Sequence, residues 1–76
     1  MNRWMRQDGG MDIHLNGQLR QIEARTTLAA LLQLEGLAQQ RVAVELNGEI
    51  VPRGQQDGQA LHEGDRVEIV HALGGG

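Results

Sequence analysis

The chain closes on Leu73-Gly74-Gly75-Gly76, and the chemistry open to such an end is that of a backbone carboxylate on a thread without side chains. Glycine has no Cβ, so three in a row can enter a channel too narrow for any other residue. Extended, three residues reach roughly 10 Å, and Ala72 with Leu73 lengthen that reach. An α-carboxyl with a pKa of about 3.5 is an anion at neutral pH, and a poor electrophile until one oxygen becomes a leaving group. Ordering glycine also costs more conformational entropy than ordering any other residue, so a docking surface on the body has to hold the tail. Alone, a glycine-rich end reads as a frayed terminus. What stands behind it decides.

The other chemistry-bearing residues offer less. His14, His62 and His71 are the imidazoles; no two have the i, i+4 spacing of a helical metal pair, and no cysteine completes a set. No metal site is expected. Glu63 and Asp65 straddle Gly64 in a turn and read as solvated, without the pocket that general acid–base work needs. Serine is absent, and Thr26 and Thr27 are better used as helix caps than as nucleophiles. Val70 falls on the strand face opposite Val67 and Ile69. With Ala43, also out of phase with the core positions, it makes a candidate docking patch beside the tail, to which His71 adds a contact at the mouth of a partner's channel.

Composition narrows the class further. Seventy-six residues form one small domain with no room for a substrate pocket with its own walls and lid, which favours a carrier or binding module over an enzyme. The net charge is −3, the seven cations are scattered arginines, and the one aromatic residue leaves nothing for bases to stack on, so nucleic acid is not an expected partner. No apolar run approaches the roughly 20 residues of a membrane span, and the lack of cysteine fits a reducing cytoplasm. Lysine is absent too. Arginine bias explains that, though a chain carrying an activated acyl group also does well without amines to attack it.

Residues 1–10, MNRWMRQDGG, show no periodicity and read as a disordered leader or expression remnant, with the domain at 11–71 and a mobile tail at 72–76. Trp4 then lies outside an all-aliphatic core. From Met11 the chain alternates, Ile13 and Leu15 against Asp12 and His14, and Asn16-Gly17 calls for a tight hairpin. The return strand, residues 18–22, carries Leu19 and reaches Ile22 after an irregularity. Thr26 and Thr27 offer a helix cap, Leu28, Leu31 and Leu32 form one helical stripe, and Gly36 with Leu37 suits the helix end. Val42, Val44 and Leu46 alternate up to Asn47-Gly48, and Pro52 ends the strand beyond it. Residues 53–59 read as a polar loop, Leu61 as an anchor, and residues 66–71 as the last strand. One sheet folded around one helix is an α+β arrangement, and covering the helix requires the last strand to lie parallel beside the first. That is the β-grasp: a mixed sheet of four to five strands on one main helix.

The segments MDIHLNG (11–17), TLAALL (27–32), RVAVELNGEIVPR (41–53) and EGDRVEIV (63–70), with the terminal glycines, resemble the ThiS family of ubiquitin-like sulfur carriers of thiamine biosynthesis. The resemblance covers residues 11–76 and leaves 1–10 unexplained. It implies a chain that is no enzyme, binds no cofactor, is monomeric alone and works in the cytoplasm. An adenylyltransferase of the ubiquitin-activating type (ThiF-like) would use ATP to adenylate the Gly76 carboxylate. A cysteine desulfurase or other donor would supply sulfur for a Gly76 thiocarboxylate, and thiazole synthase (ThiG-like) would receive it. Gly74 and Gly75 would give the end access to those active sites. The rival readings are the small subunit of molybdopterin synthase, a ubiquitin-like protein modifier, and a plain binding module.

Overall fold

The first hairpin forms where residue alternation and turn chemistry agree. In the computed structural model, which describes residues 9–71, β1 spans Gly10–Leu15 and β2 spans Gln18–Glu23, paired antiparallel. Asn16 and Gly17 between them have φ of 50° and 83°, the two left-handed positions of a type I′ turn. Three expectations are corrected here. β1 begins at Gly10, inside the stretch read as a leader, and the Ala24 N–H donates to the Gly9 carbonyl at 2.7 Å. β2 pairs without interruption, so the irregularity before Ile22 does not occur; Arg20 and Ile22 share the inward face and Leu19 points outward. Asp12, which alternation placed with His14 on the polar face away from Ile13 and Leu15, is nonetheless buried, 3% exposed. The remaining expectations for a leader and a tail concern residues 1–8 and 72–76, which lie outside the described residues.

Helix α1, Leu28–Leu34, is closed at both ends by its own sequence. Thr27 is the N-cap, its hydroxyl accepting from the Ala30 N–H at 3.1 Å. The Leu28 and Ala29 N–H groups donate to the carbonyls of Gln59 and Gln56. At the other end Gly36 takes φ of 74°, with Gly36 N–H to Gln33 and Leu37 N–H to Leu32, the bond pair of a Schellman motif. The Arg20 guanidinium reaches the Glu35 carboxylate at this end. Because the first-turn donors are already engaged, the start of α1 has none left to offer an anion.

Beyond the helix, β3 (Val42–Leu46) turns through Asn47-Gly48 into the two-residue edge strand β4 (Glu49–Ile50). The stretch expected to be a polar loop is more ordered. Pro52 starts a 3₁₀ turn at Arg53–Gln55, the Arg53 guanidinium donates to the carbonyls of Ala38 and Gln40, and Gln56 is buried with its amide on the Val51 carbonyl. The last strand, β5 (Arg66–His71), runs up the middle of the sheet, whose order is β2-β1-β5-β3-β4. It is parallel to β1 through His14↔Arg66 and Leu15↔Val67, and antiparallel to β3 from Leu46↔Val67 to Val42↔His71. This is the expected β-grasp, with five strands.

Apolar residues from every strand but β4 meet α1 on one face. Ile13, Leu28, Leu31, Val44 and Val67 are the most deeply buried, with Leu61 closing the side below the helix. Cutting Ile13 back to Ala should lower the unfolding free energy by about 3 kcal/mol through lost burial and a cavity. Thr27→Ala should lower it by about 1 kcal/mol through the lost cap. Urea denaturation followed by circular dichroism measures both; a loss at Ile13 no larger than at Thr27 would mean that the core is not centred on β1.

Candidate functional site

Among the described residues the candidate site is the root of the tail and the sheet face beside it; Gly74, Gly75 and Gly76 themselves lie outside those residues. β5 carries residues to both faces by its pleat, with Val67 and Ile69 in the core and Arg66, Glu68 and Val70 outward. Ala43 stands directly across from Val70 in the antiparallel register, so the two share the outward face, and Val70 is 62% exposed. His71 pairs with Val42, on the inward side of the pleat, and is exposed at the strand's end. It therefore leaves the Ala43–Val70 face although it adjoins it in sequence.

The register extends that face with residues that alternation alone had not joined. Glu45 and Glu68 stand opposite each other, next along the strands from Ala43 and Val70. Ile50 lies across from Glu45 on β4 and is 69% exposed. On the other flank Arg66 is level with His14, which in turn stands opposite Leu19, also exposed. The parity of β2 held the signal for Leu19, since Ile22 inward puts odd-numbered positions outward. Nothing in the sequence pairs Glu45 with Glu68, because they belong to segments whose register is set only by the fold. Among the described residues no ion pair engages Glu45, Glu68 or Arg66.

The carboxylates read as solvated have structural work instead. Asp65 accepts from the His62 N–H at 2.8 Å and from the Asn47 amide at 3.0 Å, and Glu63 accepts from the Asp12 N–H at 2.9 Å. They pin the turn that feeds β5. His62 stands 3.9 Å from Asp65 and is largely exposed. Among the described residues no three His, Cys, Asp or Glu side chains gather as a metal group, and no helix is long and apolar enough to cross a membrane. What the arrangement offers is presentation. A central strand, fixed on both sides, delivers the chain into residues 72–76 beside an apolar and acidic face.

Comparison with known proteins agrees with that architecture. The model of the ThiS family matches residues 13–76. Thiazole synthases of Magnetococcus marinus and Paramagnetospirillum magneticum are 48% and 42% identical to it over 66 residues, 87% of this chain. The chain spans only 20% of the length of these two curated relatives. The crystal structure of the thiamine biosynthesis protein ThiS from Geobacter metallireducens superposes with a TM-score of 0.76 at 33% identity, covering 87% of this chain and 100% of that one. A solution structure of a thiamine biosynthesis protein from the same organism gives a TM-score of 0.70 at 33% identity, covering 87% and 88%.

Like charges directly opposed across strands repel. Replacing Glu68 by Gln should therefore raise the unfolding free energy by about 0.5 kcal/mol at low ionic strength, and the gain should shrink as salt screens the pair. Thermal melts at two salt concentrations check this; a variant less stable than the parent would show that Glu68 has a stabilising partner.

Proposed function

The chain belongs to the ThiS family, and from that premise we propose that it carries sulfur for thiazole formation in thiamine biosynthesis on the carboxylate of Gly76. An adenylating enzyme of the ubiquitin-activating type directs a carboxylate oxygen onto the α-phosphorus of ATP, releasing pyrophosphate. The acyl carbon then bears AMP as a leaving group. Sulfide-level sulfur displaces AMP and leaves a thiocarboxylate directly. When a desulfurase delivers the sulfur as a persulfide, its terminal sulfur displaces AMP to give an acyl disulfide, and a thiol then reduces the S–S bond to release the thiocarboxylate. The sulfur of the thiocarboxylate passes to thiazole synthase. The chain's own part is to bring its end to these sites, with Gly74 and Gly75 threading the channels.

The observation that carries this reading is the course of β5. It is the central strand, paired with β1 and β3, and residues 72–76 continue from it. A thread attached to the most firmly held strand starts from a defined place, which reduces the entropy lost when the end enters a partner's site. The names of the curated relatives support the acceptor. Both are named thiazole synthases, and a stretch similar to this chain makes up a fifth of each. For docking we assign the outward face at Ala43 and Val70, with His71 at the rim.

Incubation with the cognate adenylating enzyme, ATP and a sulfur source, followed by intact mass, tests the function. Exchange of one oxygen for sulfur at Gly76 supports the carrier. An isopeptide-linked ladder would make the chain a protein modifier, and no change with an active enzyme would leave a binding module. Deletion of Gly75 and Gly76 should abolish thiazole formation. Val70→Asp should weaken enzyme binding at least about tenfold, a contact worth 1.4 kcal/mol, while an exposed site leaves stability within about 0.5 kcal/mol. Calorimetric titration giving parental affinity would remove Val70 from the docking surface.

A further inference from the structure

Both Asn-Gly turns do more than reverse the chain, because each asparagine side chain bonds to β5. At the start of the strand Asn47 uses its carbonyl oxygen to accept from the Arg66 N–H at 2.9 Å, and its amide donates to Asp65. Its own N–H donates to the Arg66 carbonyl at 2.8 Å. Three residues further along, Asn16 Oδ1 accepts from the Ile69 N–H at 2.7 Å.

The second bond sits where strand pairing gives out. β1 accompanies β5 only as far as Leu15↔Val67, with the Asn16 N–H donating to the Val67 carbonyl as the last backbone bond. The parity of β5 follows from Asn47 bonding Arg66: even-numbered backbone groups face β3 and odd-numbered ones face β1. The Ile69 N–H thus points to a side that β1 has already left. An unsatisfied N–H there would loosen the strand just before the tail, and the Asn16 side chain stands in for the missing strand. Ile69 directly precedes Val70, and the tail begins three residues on.

We infer that Asn16 is a positioning residue for the carrier tail: its bond to the Ile69 N–H holds Val70 and the end of β5, the point from which residues 72–76 continue. The inference rests on the carrier reading above. It gives the two turns different duties, since Asn47 fastens the entry of β5, roughly 10 Å from Ile69 at the rise of a strand, and Asn16 fastens the exit.

The test uses the full chain. Asn16→Gly keeps a residue at ease at a φ of 50° and removes only the acceptor, while Asn16→Asp keeps an acceptor oxygen and tolerates the same φ. Amide exchange read by NMR should accelerate severalfold at Ile69 in the glycine variant and return toward the parent in the aspartate variant. In ATP–pyrophosphate exchange with the cognate adenylating enzyme, Asn16→Gly should raise KM about fivefold, the worth of one hydrogen bond, and leave kcat nearly unchanged. Asn47→Gly loses two side-chain bonds yet should raise KM less. If KM instead follows melting temperature, with Asn47→Gly the worse variant, Asn16 is merely structural and the inference is overturned. Unchanged Ile69 exchange in Asn16→Gly overturns it equally. A parent chain that supports no pyrophosphate exchange with an active enzyme overturns the carrier reading, and the inference with it.

Discussion

β5 needs a partner along each edge, and its short parallel pairing with β1 joins what would otherwise be two separate antiparallel pieces. Only His14↔Arg66 and Leu15↔Val67 stand in register, yet this join sets Ile13 and Leu15 beside Val67 and Ile69 under one helix. Parallel strands demand a long crossover, and here the intervening chain supplies α1 as the cover the join requires. Without that contact β1–β2 and β3–β4–β5 would each expose an apolar face. In a domain this small, neither face could be buried by itself.

Side chains complete what so short a ladder leaves undone. Asn16 and Asn47 bond the backbone of β5, Glu63 and Asp65 hold the turn before it, and Arg53 ties the 3₁₀ turn to the segment after the helix. These polar residues lie in turns and loops, where their reach to a nearby backbone group is short. Buried or half-buried backbone groups have to be paired, and a chain of this length has few strands to pair them with. The loops therefore carry much of the hydrogen bonding that larger domains give to extra strands.

Stability and presentation are divided between the two faces of the sheet. The inward face is aliphatic and packed on α1. The outward face holds Leu19, Ile50 and Val70 in solvent and sets Glu45 against Glu68, an arrangement that adds nothing to the fold's stability. In the carrier role proposed above, that face is the one assigned to the grip of partner proteins while the end is in use. A face free of packing duties can be shaped for that grip.

Much of this was legible in the residues. Alternation at Ile13 and Leu15, the stripe Leu28, Leu31 and Leu32, the Asn-Gly turns, the Thr27 cap and the Gly36 end are all set by neighbours a few positions apart, so each could be read locally, and the parallel join followed from the need to cover the helix. The sequence by itself therefore determined the elements, their order and the glycine end. Only the tertiary structure decided which residues share a face and which side chains hold β5. Ala43 meets Val70, Glu45 meets Glu68, and Leu19 turns outward because strand register, a property of the assembled sheet, sets them there. Asn16 reaches Ile69 across 53 positions, and Glu63 reaches Asp12 across 51. A turn residue and a solvated acid look the same in sequence whether or not such a distant backbone group awaits them, because the partner is supplied by the fold.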